Sequence, residues 1–269
     1  MPMTTSLFEH TLSALLSTDP EAKCALTSSL REQWLAGNLT LAEGPAPREI
    51  PIPGRPEKPL LVHPRELPKR NKLQTAEGRA CLLHALAHIE FNAINLALDA
   101  VYRFRDLPTD YYSDWLGVAA EEAYHFQLLQ GHLHTLGFAY GDFAAHNGLW
   151  EMAIDTAHDA LIRMALVPRV LEARGLDVTP ALIQKLESAN DHAAADILRI
   201  IRRDEIGHVA VGTRWYRHLC QTRDLDPATT FFELVERYLK GKLKGPFNFP
   251  DRIAAGFDAE EIQRLEHWP

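Results

Sequence analysis

Apolar residues recur at three- and four-residue spacing through most of the chain, a period that predicts helices. The first such run lies between Ser6 and Leu16. Asp19-Pro20 then reads as a cap and a first-turn proline opening a second helix to about Leu35. Four long core segments are expected further on. They run from Thr75 to about Arg105, from a cap at Ser113 to about Gly137, from Leu149 to about Arg174, and from Thr179-Pro180 to about Cys220. Pro168 should kink the third, Gly175 should close it as a left-handed cap, and the fourth should break near Asn190-Asp191. A short helix is expected after Asp226-Pro227, with a last turn or two from Glu260 to Trp268. From Gly44 to Pro68 eight prolines rule out helix and predict an extended strap over the helices. The expected fold class is therefore all-α: an N-terminal helical hairpin (1–43), a proline-rich strap (44–74), a four-helix bundle (75–222) and a C-terminal helical extension (223–269).

The apolar stripes of those segments carry charge where a core should have none. Glu90 lies in the stripe of Leu83, Leu86, Ile94, Ala97 and Val101, and a buried carboxylate demands a partner. The next stripe passes through Val118, Glu122, His125 and Leu129. A Glu and a His three apart project from one helix face and can hold one ion. The pattern then repeats with Glu172 and with Glu205-x-x-His208 among Leu198 and Ile201. Glu, Glu-x-x-His, Glu, Glu-x-x-His on four successive helices is the ligand order of a two-metal carboxylate bundle. Its four carboxylates carry about −4, which two divalent ions neutralise while the imidazoles stay neutral. Glu122 and Glu205 are the natural bridging ligands, Glu90 and Glu172 the terminal ones.

Other residues near the pattern receive plainer readings. His84 and His88 fall off the Glu90 face and are expected at an interface. His132 lies about 10 Å along the axis from His125, too far to share its ion, and is expected in the core or a channel. Asp155-x-x-His158 imitates the motif but stands ~21 Å from Glu172 on an ideal helix. Glu121 and Asp204 are candidates to accept a hydrogen bond from a ligand imidazole, and Tyr124 is a candidate redox-active neighbour. Gly207 and Gly212 are expected to permit close helix contact, and Phe247 and Phe249 to anchor a tail. The ~11 residues from Phe138 to Gly148 could reach ~36 Å, enough for a crossover along a bundle.

The Glu90, Glu122-x-x-His125, Glu172, Glu205-x-x-His208 set resembles the ferritin-like di-iron superfamily. The wording around it, His88-Ile89-Glu90, Val167 to Leu176 and Arg203 to His208, looks like a bacterial ferritin-like family of unknown function. That family is similar to the di-iron hydroxylase of a methylthio-isopentenyl-adenosine in tRNA, and the likeness covers roughly residues 65 to 250. The resemblance implies a ferritin-like bundle and a cofactor of two Fe ions, with Mn or a mixed Mn/Fe pair accepting the same ligands. It implies O₂ as a partner, a small-molecule or tRNA-borne substrate to be oxidised or hydroxylated, and an electron-donor reductase. Leu86, Ile94, Leu129, Leu198 and Ile201 would form a water-excluding wall. The rival reading is a ferroxidase or metal-binding protein without an organic substrate.

Composition narrows the setting. A net charge of −8 provides no global basic field for nucleic acid or an anionic membrane; lysine-rich stretches at 68–72 and 240–244 are the local exceptions. Three cysteines without metal or disulfide spacing fit a reducing compartment, and no signal-peptide pattern opens the chain. No apolar run approaches the ~18 residues of a membrane span, so a cytoplasmic protein is expected.

Overall fold

The computed structural model describes residues 5–42, 45–68, 72–240, 243 and 245–268. The 68–72 and 240–244 stretches thus lie partly outside the described residues. The fold is all-helical, apart from a two-residue parallel pairing of Thr5–Ser6 with Leu39–Thr40. The chain divides into two compact units, Met1–Ile154 and Asp155–Pro269.

In the first unit, α1 (Leu7–Leu16) and α2 (Pro20–Leu35) are joined by a turn in which Asp19 accepts a hydrogen bond from the Ala22 amide at 2.7 Å. They pack on α3 (Ala76–Arg103) and α4 (Thr109–Thr135), α1 against α3 and α2 against α4. Thr75 caps α3 by accepting from the Gly78 amide. α4 starts four residues before the expected cap. Pro108 cannot extend a helix from its own nitrogen but suits the position before one, and Ser113 instead bonds back to the Thr109 carbonyl and accepts from Trp34. Among its described residues the strap is extended, with one 3₁₀ turn at Pro64–Glu66. Its Ile50 carbonyl accepts from Trp150, its Gly54 amide donates to Leu15 and its Val62 amide donates to Ala145. A Cβ at Gly54 would stand 2.3 Å from the backbone of Leu16 and Ser17, so a glycine is required for that approach.

The second unit departs further from expectation. The single helix expected over 149–174 is interrupted after α5 (Gly148–Asp155), because Asp159 turns to cap α6 (Ala160–Leu166) and is gripped by Arg223 at 2.7 and 2.8 Å. Val167–Glu172 then forms a π turn around Pro168, which has no amide proton for an α-helical bond. The helix does not stop at Gly175. It continues as α7 (Ala173–Ser188) with Pro180 inside it. Pro180 cannot donate to the Leu176 carbonyl, and the Asn248 side chain supplies that bond at 3.1 Å. Asn190, with φ of 58°, ends the segment, and Asp191 caps the 31-residue α8 (His192–Thr222). Then come α9 (Pro227–Leu239), α10 (Phe249–Ala254) and α11 (Ala259–Glu266). α7 and the π turn both pack on α8, where the Gly212 Cα faces Pro168 so closely that a Cβ would come 2.2 Å from its ring. Gly207 makes no such contact: a Cβ there would meet nothing within 4 Å among the described residues.

Candidate metal centre

α3 is buried nearly all round, and Glu90 at its middle is only 4% exposed. The antiparallel-style turn through Asp106, held at φ of 63°, brings α4 back along α3 and places Glu122 and His125 beside Glu90. Glu122 and His125 are completely buried. His125 Nδ1 lies 3.5 Å from a carboxylate oxygen of Glu90 and 3.5 Å from one of Glu122. One ligand atom from each of the three falls within 4.8 Å of the others. Burial opposes a charge on His125, but the adjacent carboxylates of Glu122 and Glu90 outweigh it and hold the imidazole pKa up at about 11. Two buried carboxylates thus sit beside one imidazole, and a cation is the natural complement of such a group. Two hard oxygens with one borderline nitrogen suit iron, manganese or zinc. The residues present fit a metal ion.

His84 and His88, on another side of α3, hold the connection that follows α4. His84 Nε2 accepts from the Gly141 amide at 2.9 Å and its ring stacks on Tyr140. His88 meets the Tyr140 hydroxyl at 2.9 Å, the His146 carbonyl at 3.1 Å and Asn92 at 3.0 Å. Burial lowers the His88 pKa to about 4, so the ring is neutral and accepts or donates without charge. The two are interface histidines, as their angular positions predict. His132 departs from expectation. It is partly exposed near the C-terminal end of α4 beside Thr135, because the buried face there passes through Leu129 and Leu133. Tyr124 is also exposed, with its ring 6.3 Å from that of His125.

In the second unit, α8 carries Glu205 and His208 one turn apart, with His208 Nδ1 3.6 Å from a Glu205 oxygen and the ring buried. Glu172 is the last residue of the π turn that packs on α8. Asp204 takes two hydrogen bonds from Arg203, while Arg202 pairs with Asp251 at 2.7 and 2.9 Å. His158 lies apart, 3.3 Å from the Tyr238 hydroxyl. Phe247 and Phe249 flank Asn248, which ties the tail to Leu176 and Asp177. Sequence reasoning missed the buried Arg169 in the π turn. Its signal was a lone cation inside the apolar run Val167-Pro168-Arg169-Val170-Leu171.

α3 alone has the length and composition of a membrane span among the described residues, and 89% of its most apolar stretch is buried in the protein. No solved structure matches the chain. An uncharacterised protein of Haemophilus influenzae is 48% identical over 268 residues, spanning 96% of this chain and 93% of the relative. Residues 16–263 match the model of a family described as "Protein of unknown function (DUF455)". With nearly its whole length matched, and its buried Glu and His residues inside the matched span, the chain belongs to that family.

Proposed function

We propose that Glu90, Glu122, His125, Glu172, Glu205 and His208 hold two metal ions, iron in the first instance, in a ferritin-like bundle that activates O₂ to oxidise or hydroxylate a substrate. The observation that carries this reading is the burial of Glu90 and Glu122 against His125, a group that calls for a cation. The echo of the same motif at Glu205 and His208 supports a second ion. An iron pair would supply the electrons for O₂ reduction and the oxidising power for the substrate. The chain's part is to fix the ligands on rigid helices and keep bulk water away. Ile94 and Leu129 in the first unit and Leu198 and Ile201 in the second, all buried, serve the latter purpose. The substrate is a small or tRNA-borne group, and a reductase completes the cycle.

Metal analysis of protein purified without chelators tests the site. About two ions per chain are expected, as two-metal carboxylate bundles hold, with fewer in Glu122→Ala and in Glu205→Ala. Full occupancy in either folded variant would remove that residue from the site. Oxygen uptake after Fe(II) addition then tests the chemistry. Uptake that continues with a reductant and an oxidisable substrate supports the oxygenase. Uptake that stops once added Fe(II) is consumed, whatever substrate is offered, favours the ferroxidase.

A further inference from the structure

Arg169 sits within the π turn with its side chain wholly inaccessible. Its guanidinium lies over three rings, Tyr216, Phe231 and Phe257, at 4.6, 4.4 and 4.5 Å. Nε reaches Thr213 at 3.3 Å, and Nη2 forms an ion pair with Glu261, which α11 delivers from 92 residues away. Glu261 is equally buried; its other oxygen accepts from the Asp258 amide at 3.0 Å, completing a capping box, and stands 3.4 Å from Arg217. One residue before Arg169, Pro168 fills the notch left by Gly212, one turn beyond His208. Three residues after it stands Glu172.

A buried ion pair adds little net stability, since desolvating both ions costs about what their attraction returns, whereas losing one partner is costly. Such a pair resists displacement more than it stabilises. Here it pins a π-helical segment of the core, and that segment ends in a candidate ligand. Pro168 against Gly212 and Arg169 among three rings hold this turn from both sides.

We infer that the Arg169–Glu261 pair is a positioning device for Glu172, through which the C-terminal helix α11 sets how firmly one of the two metal ions is held. This rests on the metal-binding reading above. The test uses full-length protein, comparing Glu261→Gln with Asp258→Ala. Glutamine removes the charge facing Arg169 yet can still serve the capping box; Asp258→Ala breaks the box and leaves the pair. The readouts are metal per chain and amide exchange across residues 167–174. In Glu261→Gln we expect at least about tenfold faster exchange in that segment, matching loss of about 1.4 kcal/mol or more of local protection. Bound Mn(II) or Fe(II) should fall from about two ions to about one. Asp258→Ala should keep both ions. Retention of both ions by folded Glu261→Gln overturns the inference, as does equal metal loss in both variants, which would mean only a loosened α11. Should Glu261→Gln fail to fold, Arg169→Gln, which removes the other charge of the pair, is read by the same criteria. A wild-type chain that binds no metal overturns the parent reading as well; a wild type with two ions and an indifferent Glu261→Gln overturns this inference alone.

Discussion

Lys23 carries its amine into the end of α1, where Nζ donates to the carbonyls of Ala14 and Leu15 at 3.0 and 2.7 Å with no solvent access. Those carbonyls lie at a helix terminus, where Ala14 also accepts from the Ser17 amide and Leu15 from the Gly54 amide, and the lysine bonds to them whether or not the amine is charged. Burial outweighs the neighbouring Cys24 and lowers the lysine pKa from 10.5 to about 7. The unfolded chain therefore binds a proton that the native chain lacks between those two values, and stability must rise with pH across that window. Denaturant unfolding at several pH values should show this rise, and Lys23→Met should abolish its Lys23 share; an unchanged slope in the variant would refute it. Among the candidate ligands, legibility followed local geometry. Glu122 and His125, or Glu205 and His208, are three apart on one helix, and spacing alone puts each pair on one face. Glu90 was legible because a carboxylate interrupts an apolar stripe. Arg169 was not, since its partner Glu261 lies 92 residues away and nothing local announces a cage of rings.

At the scale of elements, helix starts were written in the chain more clearly than helix ends. Asp19-Pro20, Thr75 and Asp226-Pro227 each open a helix through a side-chain cap. Gly175 and Pro180 misled because the usual reason for stopping was removed from outside: Asn248 satisfies the carbonyl that Pro180 leaves open. The π turn was legible only as a kink at Pro168. Two glycines on α8 separate packing from helix propensity. Gly212→Ala would drive a methyl to 2.2 Å from Pro168 and should cost about 1–3 kcal/mol as an overpacked site. Gly207→Ala meets no obstacle among the described residues and should stabilise by up to about 1 kcal/mol. Thermal or urea midpoints of the two variants check both; a neutral Gly212→Ala would mean that Pro168 is not firmly seated.

For the whole molecule, a metal ion held by the buried carboxylates would make metal binding and folding a single equilibrium. An ion that binds only the native chain at a hundred times its dissociation constant adds about 2.7 kcal/mol. Fe(II) or Mn(II) should therefore raise the unfolding midpoint of the wild type, and raise that of Glu122→Ala much less. Equal shifts in both would place the binding elsewhere. The all-helical class was legible throughout because apolar periodicity is a local signal repeated many times.

The proline strap has a consequence of its own. It is fastened at Ile50, Gly54 and Val62, in each case through a backbone group, to Trp150, Leu15 and Ala145. Backbone fastenings ignore side-chain identity but not the number of peptide units between them, so the segment behaves as a ruler. Drift at outward positions such as Ile52 and Leu60 should pass unnoticed. One inserted or deleted residue between Ile50 and Val62 would put every later fastening out of step.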